Sequence, residues 1–401
     1  MRTGMSRVAG FASFCDGSAG KKAAAPLWAR TPFAASKLLV KLLIQPGDGV
    51  QRLVKGIKKA KERIEIMIFR FDRREIERAL IDAVERGVFV HALIAFTNRG
   101  GEENLRKLEK HFLANGITVA RTAGDLVRYH GKMMIIDRKE LYVNAFNFTY
   151  LDIDRSRAFG LITRNPKLVS EAVKLFEADI KRQGYAAGNA KFLVSPVNAR
   201  KELTKFIQGA KKELLIYDPK ISDRSMLRIL EDKKKSGVDV RVIGCVSGNR
   251  IPACELKRMR LHTRTIIRDR TEAFVGSQSL RQLELDARRE IGILLRDGAA
   301  IKSLARTFEE DWAASSADLE EKRPSQRKQK KSAKKIARAV SEKIPLNPVA
   351  KKVVKSIADR ADVDLDHREL RETVKEILKD VVEKTAQDAA QEAAEAVGKA
   401  N

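Results

Sequence analysis

Cysteine is scarce in this chain, which has only Cys15, Cys245 and Cys254 among its 401 residues. They form no Cys-x-x-Cys pair, and none has a histidine at the spacing that metal ligands use. The pattern favours a reducing compartment or buried thiols, and it argues against a structural zinc site.

Long apolar runs are also lacking. A membrane-spanning helix needs about 18 or more uninterrupted apolar residues, and no stretch reaches that length. Residues 33–44 come nearest, but Lys37 and Lys41 interrupt them. We predict a docking helix there, with a helix lying on a membrane surface as the alternative. The expected protein is cytoplasmic, has no transmembrane helix, and would contact a membrane only peripherally.

Acidic residues are few relative to basic ones, which leaves a formal net charge of +27. This excess suits a polyanionic partner, either nucleic acid or an anionic membrane surface, because both present arrays of phosphates. Part of the charge lies in residues 322–338, which contain no acid. This run is either a solvated linker or a phosphate-binding segment. Its lack of aromatic side chains leaves no platform for stacking single-stranded bases.

The chain does contain one short motif twice, with a histidine, a cation and an aspartate at the same spacing. The two copies are His130, Lys132 and Asp137, then His262, Arg264 and Asp269. Strand side chains alternate between faces, so a histidine two residues before a cation places both groups on one face of a strand. A nucleophile or proton donor would then lie beside a positive charge, as attack on a phosphodiester requires. Two such strands facing each other would surround one phosphate with two imidazoles and two cations.

This motif resembles the HxKxxxxD signature of the phospholipase D superfamily. Residues 147–149 resemble the tail of the GSxNFT box that follows the signature in that family, and residues 276–277 resemble its head. Residues 290–292 resemble the family's later strand, which contains a glutamate. The resemblance covers roughly residues 48–315. It implies metal-independent chemistry through a phosphohistidine, with no cofactor.

A longer repeat predicts an α/β fold. In each half a basic amphipathic helix runs into a short apolar strand, and a second helix follows at about 73–86 or about 223–236. Gly87 and Gly237 are placed to end these helices. Further strands are predicted at 88–94 and 238–244, and strands that alternate with helices indicate an α/β sheet in each half.

The repeat therefore predicts two similar phospholipase D-like lobes, with mixed sheets flanked by helices and pseudo-twofold symmetry. The motif strands are expected to meet at the interface between the lobes. The predicted organisation is an N-terminal extension (1–46), a first lobe (47–185), a second lobe (186–316), a basic linker (317–345) and a helical C-terminal extension (346–401).

The resemblance implies a role for each member of the two motifs. The roles are a nucleophile (His130), a general acid and base (His262), a phosphate clamp (Lys132 and Arg264) and orienting carboxylates that do not react (Asp137 and Asp269). The substrate-binding residues that it implies are Asn147, Ser277, Ser279 and Glu290, the first three as neutral donors to phosphate oxygens.

Two departures from the family pattern leave alternatives open. Arg264 replaces the usual lysine, which keeps the charge but exchanges a compact donor for a planar fork. Glu290 has no counterpart in the first half, because the same offset from His130 falls on Ala158. One lobe thus has the lysine without the glutamate, and the other has the glutamate without the lysine. The roles of the two histidines could therefore be exchanged.

The leading hypothesis is a phospholipase D-like phosphodiesterase that cleaves or transfers a phosphatidyl group, as in relatives of cardiolipin synthase. One alternative is a metal-independent nuclease of the same superfamily, which the basic charge suits. Another is a catalytically weakened phosphate-binding protein, which the eroded second motif suggests. The expected partners are a phospholipid head group or another phosphodiester, an anionic membrane surface and, for the nuclease, nucleic acid.

Overall fold

The computed structural model describes residues 40–98, 102–248 and 250–321, with side chains as far as residue 315. The predicted helical C-terminal extension and nearly all of the predicted basic linker lie outside these residues, as does most of the N-terminal extension.

The first lobe is built on a mixed sheet. Its elements in chain order are β1 (Lys41–Gln45), α1 (Gln51–Lys59), β2 (Arg63–Ile68), α2 (Arg74–Glu85), β3 (Phe89–Ile94), α3 (Glu103–Ala114), β4 (Thr118–Arg121), β5 (Arg128–Tyr129), β6 (Met133–Ile136), β7 (Glu140–Asn144), α4 (Tyr150–Asp154), β8 (Ser156–Thr163) and α5 (Pro166–Ile180). The strand order is β1-β8-β7-β6-β2-β3-β4. β2 pairs with β3 in parallel and with β6 antiparallel, which makes the sheet mixed.

The second lobe repeats this plan. Its elements are β9 (Phe192–Val194), α6 (Ala199–Gln208), β10 (Glu213–Ile221), α7 (Arg224–Lys235), β11 (Asp239–Val246), β12 (Ala253–Cys254), β13 (Arg260–Leu261), β14 (Arg264–Arg268), β15 (Glu272–Gly276), α8 (Gln282–Asp286), β16 (Arg288–Arg289), β17 (Ile291–Leu295) and α9 (Gly298–Glu321). The strand order is β12-β11-β10-β14-β15-β17-β9. As β2 does in the first lobe, β10 pairs in parallel with β11 and antiparallel with the strand of the motif, β14.

The α/β prediction is confirmed, and so are the helices at about 73–86 and 223–236, which correspond to α2 and α7. Gly87 has φ 82° and Gly237 has φ 89°. Both lie in the left-handed region that glycine adopts without steric cost, so each turns the chain from its helix into the next strand.

The helix predicted over residues 33–44 is wrong at its C-terminal end, where residues 41–45 form β1. The apolar run that Lys37 and Lys41 interrupt was predicted to be a docking helix, but β1 is an edge strand that pairs antiparallel with β8. Its residues alternate in exposure along most of its length, with Leu43 buried and Lys41 exposed. The first sheet therefore begins before the predicted lobe boundary at residue 47.

Each lobe contributes a short strand to the other. β5 of the first lobe pairs in parallel with β16 of the second, and β13 of the second pairs in parallel with the start of β8. These pairings are equivalent under the repeat, because β5 and β13 immediately precede the two motif histidines. The short strands thus carry both motif segments into the interface between the lobes.

A hydrophobic cluster drawn from both sheets holds the lobes together. It includes Phe159 of β8 and Tyr217 of β10, whose rings meet edge to face with centroids 5.4 Å apart. α9 packs against the same region, where Oδ2 of Asp311 accepts hydrogen bonds from Arg157 Nε and Tyr217 Oη at 2.7 Å each. One carboxylate of the last helix therefore bonds to both lobes.

Candidate active site

His130 lies in the extended segment between β5 and β6. Its backbone N donates to the carbonyl of Arg289 at 2.8 Å, which continues the pairing between β5 and β16. Its ring meets Phe69 edge to face, with centroids 4.5 Å apart, and the residue is only 7% exposed. The histidine was expected within a strand, but the strand begins three residues later, at Met133.

The imidazole of His130 bonds to a carboxylate from the other lobe. Its Nδ1 lies 2.8 Å from Oε2 of Glu290, which is completely buried between β16 and β17. A carboxylate only accepts hydrogen bonds, so Nδ1 carries the proton and Nε2 keeps its lone pair. Burial, reinforced by Lys132 and Arg264, holds the pKa of His130 well below its ordinary value. The group is therefore a neutral imidazole with a free ring nitrogen.

Lys132 is almost completely buried beside this imidazole. Its Nζ donates to the carbonyl of His130 at 2.6 Å and lies 5.2 Å from the centroid of the Phe69 ring. Burial lowers the pKa of Lys132 to about 7, opposed by Glu290 and reinforced by Arg264. An ammonium ion in this place lacks water, so an anionic ligand would stabilise its charged form.

His262 occupies the equivalent place in the second lobe. Its backbone N donates to the carbonyl of Arg157 at 3.0 Å, and the residue is 7% exposed. Its Nδ1 lies 3.4 Å from Oδ2 of Asp152, a buried residue of α4. Burial is the main cause that holds the pKa of His262 well below its ordinary value; Asp152 opposes the shift, and Arg264 adds to it.

Arg264 takes the place of the lysine. Its Nη1 donates to the carbonyl of His262 at 2.9 Å, as Lys132 does to the carbonyl of His130. Both cations lower the pKa of both histidines. The two imidazoles and the two cations therefore share one electrostatic environment at the lobe interface.

Asp137 and Asp269 bond to backbone amides rather than to either motif histidine, and their role as orienting carboxylates stays a prediction. They follow the far ends of β6 and β14, and both have φ 51°. The carboxylate of Asp137 accepts the amide N–H groups of residues 61–63 at 2.8–3.1 Å, and that of Asp269 accepts those of residues 211–213 at 2.7–3.2 Å. Partial burial acts to raise the pKa of Asp137, but these donors hold it below its ordinary value. Both residues hold the loop before the central strand of a lobe.

The predicted neutral donors mostly have protein partners. Ser279 donates its hydroxyl proton to Asp218, and the Ser277 hydroxyl lies 3.3 Å from the carbonyl of Ile291 and also bonds to Glu290. Both hydroxyls already have protein acceptors, so donation from these serines to phosphate stays a prediction. Asn147 donates to Oδ2 of Asp152 through its backbone N at 2.8 Å and through Nδ2 at 2.6 Å. A second Nδ2 proton is left, so donation to phosphate stays a prediction.

The assignment of Glu290 as a substrate-binding residue stays a prediction, and in the structure its side chain faces protein groups. Its carboxylate is buried against His130, and it also bonds to Ser277. Burial raises the pKa of Glu290, opposed by Lys132 and Arg264. Its contact is with a histidine of the other lobe, so it orients that ring.

Asp152 and Glu284, two buried acids at equivalent positions after the two histidines, were not predicted from the sequence. Each accepts a backbone N–H from the residue five positions earlier, at 2.8 Å for Asp152 and 3.0 Å for Glu284. The repeat was the available signal, because aligning the two motifs also aligns these carboxylates. Among the residues that the structure describes, no cluster of three or more His, Cys, Asp or Glu suits a metal ion, and no helix could cross a membrane.

Comparison with known proteins agrees with this architecture. A family profile described as a cardiolipin synthase, PLD-like domain matches residues 53–180 and 203–312, which together make up more than half of the chain. A mitochondrial cardiolipin hydrolase from Danio rerio is 29% identical over 135 residues. That match covers 32% of this chain and 56% of the relative, so the chain spans little more than half of the relative's length.

Two solved structures share the fold over 68% of this chain. One is a polyphosphate kinase from Porphyromonas gingivalis, with a TM-score of 0.58, 18% identity and 50% of that chain covered. The other is a phosphatidylserine synthase from Haemophilus influenzae, with a TM-score of 0.55, 10% identity and 85% of that chain covered. At these identities the likeness shows the fold alone.

Proposed function

Because the chain belongs to the phospholipase D superfamily of phosphodiesterases, we propose that it cleaves or transfers a phosphatidyl group through a phosphohistidine at His130. The observation that carries this proposal is the hydrogen bond between His130 and Glu290 across the lobe interface. This bond holds the neutral imidazole of His130 so that its free Nε2 lies beside the buried side chain of Lys132. The lipid substrate rests on the name of the matching family and of the curated relative.

In the first step Nε2 of His130 attacks phosphorus, and the bond from phosphorus to the leaving oxygen breaks. The electron pair of that bond stays on the oxygen, and the imidazolium of His262 donates a proton to it. Lys132 and Arg264 donate to the non-bridging oxygens and stabilise the charge of the transition state. Glu290 becomes an ion partner for His130 as its ring acquires positive charge.

In the second step neutral His262 removes a proton from water or from an alcohol. The resulting oxygen nucleophile attacks phosphorus, and the bond from phosphorus to nitrogen breaks. Water gives hydrolysis and an alcohol gives transfer. His130 returns to its neutral form with Nδ1–H still directed at Glu290.

Substrate binding supports protonation of His262. In the free enzyme Arg264 and Lys132 act with burial against its charged form. A phosphodiester placed between the two cations brings a negative charge that offsets this repulsion. The general acid therefore gains its proton as the substrate arrives.

The two histidines have different surroundings, which supports the assignment of roles. His130 has both the lysine and a direct 2.8 Å bond to a glutamate, whereas His262 has an arginine and an aspartate at 3.4 Å. The fixed neutral ring suits a nucleophile, and the looser contact suits a group that gains and loses a proton in each cycle.

The test compares the wild type with His130→Ala and with His111→Ala, a half-exposed histidine on α3. Each protein is incubated with vesicles containing cardiolipin and phosphatidylglycerol and, separately, with single- and double-stranded DNA, all in the presence of a chelator. We expect head-group release or exchange by the wild type and by His111→Ala, and none by His130→Ala. Cleavage of DNA alone would favour the nuclease, silence on every substrate would favour a binding protein, and a requirement for divalent metal would contradict the mechanism.

A further inference from the structure

Glu290 of the second lobe contacts His130 of the first lobe, but the first lobe has no equivalent glutamate for His262. Ala158 of β8 is the counterpart of Glu290 under the repeat, and it is completely buried. A methyl group cannot accept a hydrogen bond, so this position offers His262 no acid. Any orientation of that ring by a carboxylate must come from elsewhere in the first lobe.

Asp152 is the carboxylate that faces His262. It lies in α4, whose N-terminus is capped by Thr149, and the cap accepts the backbone N–H of Asp152 at 3.3 Å. The side chain points inward and is only 3% exposed. Its Oδ2 is the atom 3.4 Å from Nδ1 of His262.

Other donors fix this carboxylate in place. Asn147 donates twice to Oδ2, and Nη1 of Arg260 donates to Oδ1 at 2.6 Å. Burial acts to raise the pKa of Asp152, but His262, Asn147 and Arg260 together hold it below its ordinary value. The group is therefore an ionised carboxylate, held by other donors, beside a ring nitrogen that has no other hydrogen-bond partner among the residues that the structure describes.

We propose that Asp152 is the positioning residue of His262 and replaces the glutamate that β8 lacks. Its carboxylate holds the ring with Nδ1 toward itself and Nε2 toward the substrate, and it becomes the ion partner of the ring when His262 takes up a proton. This inference rests on the proposed function for the role of His262 as the general acid.

The equivalent acid of the second lobe does not do the same for His130. Glu284 lies 3.1 Å from Nη1 of Arg288 and 3.7 Å from Nη2 of Arg264, so arginines of its own lobe occupy it. Nδ1 of His130 donates its hydrogen bond to Glu290 instead. The two lobes thus orient their partner histidines with acids from different positions of the repeat.

One test follows the His262 ring itself by ¹⁵N nuclear magnetic resonance, which separates the tautomers and the protonated form. The chain has five histidines, so the signal can be assigned with His262→Gln. We expect Asp152→Asn to lower the pKa of His262 and to reduce the population of the Nδ1–H tautomer. Asp154→Asn, which removes an exposed carboxylate of the same helix, should change neither.

Arg260→Gln should shift the pKa of His262 in the opposite direction to Asp152→Asn. Arg260 is 42% exposed and shares the carboxylate with His262, so its removal frees Asp152 and should raise the pKa of His262. Unchanged titration of His262 in both Asp152→Asn and Arg260→Gln would overturn the proposal. This readout needs no turnover, so it stands even if the enzyme proves inactive.

A second test uses two leaving groups. Methyl 4-nitrophenyl phosphate releases a stable phenolate, whereas methyl phenyl phosphate depends more on a proton from the general acid. General acid catalysis typically contributes about 10²–10⁴-fold, so we expect Asp152→Asn to slow the burst of phenol at least about tenfold more than the burst of nitrophenol. Equal slowing of both would contradict the role of Asp152. A wild-type burst that survives His130→Ala would instead contradict the proposed function.

Discussion

The bond between Glu290 and Nδ1 of His130 gives the sharpest prediction, because it joins the two lobes at the ring of the proposed nucleophile. Glu290→Gln keeps the size of the side chain and an oxygen that can accept from Nδ1, but it removes the negative charge. The side chain of Glu290 is fully buried, so the substitution tests charge at one defined place. We expect kcat to fall while the fold is kept.

The magnitude follows from the geometry. A hydrogen bond to a charged group contributes about 1.5–3 kcal/mol and a neutral one about 0.5–1.5, so loss of the charge removes about 1–2 kcal/mol before the reaction begins. As His130 attacks, its ring becomes cationic. At 2.8 Å from Glu290, two unit charges attract by about 6 kcal/mol with an effective dielectric constant of about 20. A loss of about 1 kcal/mol would lower kcat roughly 5-fold, and a loss of about 6 kcal/mol would lower it roughly 10⁴-fold. We expect a fall in kcat between these limits, of about 10²- to 10³-fold.

Stability should change much less than activity. Burial opposes the charge of Glu290, as the raised pKa shows, so an uncharged isostere avoids part of the desolvation cost. We expect the free energy of unfolding in urea to change by less than about 1 kcal/mol. A large loss of stability would mean that the bond mainly holds the lobes together.

The assay is a double-mutant cycle measured as the rate of nitrophenol release from methyl 4-nitrophenyl phosphate, followed down to the residual rate of His130→Ala. Glu290→Gln should reduce the rate in the wild type and should have no further effect in His130→Ala, because the two residues act as a unit. Glu310→Gln removes a carboxylate that is 67% exposed on α9 and serves as the control. Additive losses from Glu290→Gln and His130→Ala would refute the reasoning.

Two other predictions concern Lys132 and Asp137. The pKa of Lys132 is about 7 in the free protein, so the KM for a phosphodiester should rise by up to about tenfold per pH unit above pH 7. Lys132→Arg should remove this dependence, because arginine stays charged. A wild-type KM that does not change with pH would contradict this prediction. Asp137→Asn should lower the free energy of unfolding in urea by about 1–3 kcal/mol at pH 7 while the kcat of the folded protein stays unchanged. Since the pKa of Asp137 is depressed, the wild type should lose this part of its unfolding free energy as the pH falls through that pKa, whereas Asp137→Asn should not. A lower kcat in a fully folded Asp137→Asn variant would indicate that Asp137 acts in the active site.

Local sequence signals predicted the parts of the fold that local physics decides. Gly87 and Gly237 end helices because the left-handed conformation they adopt is a property of one residue. The repeat located α2 and α7, each of which is followed by one of these glycines. The helix prediction was wrong for residues 41–44, where edge-strand pairing with β8 decides the structure.

The contacts between lobes could not be predicted in the same way. Glu290 and His130 are separated by 160 positions in sequence, and no period in the chain relates them, because the repeat pairs each with a residue of the other half. The same holds for His262 and Asp152. Ser277 and Ser279 matched a motif by residue type, yet neighbouring backbone and carboxylate groups use their hydroxyl protons. Which groups remain free for a ligand is decided by packing.

The exchange of acids between lobes also resolves the apparent erosion of the second motif. Each half looks incomplete in sequence, since one has the lysine without the glutamate and the other the reverse. Across the interface, Lys132 and Glu290 complete one set of partners around His130. His262 is left with Arg264 and Asp152, a different set that favours a different task. Under the proposed mechanism, in which one lobe supplies the nucleophile and the other the general acid, this asymmetry of the two motifs is expected.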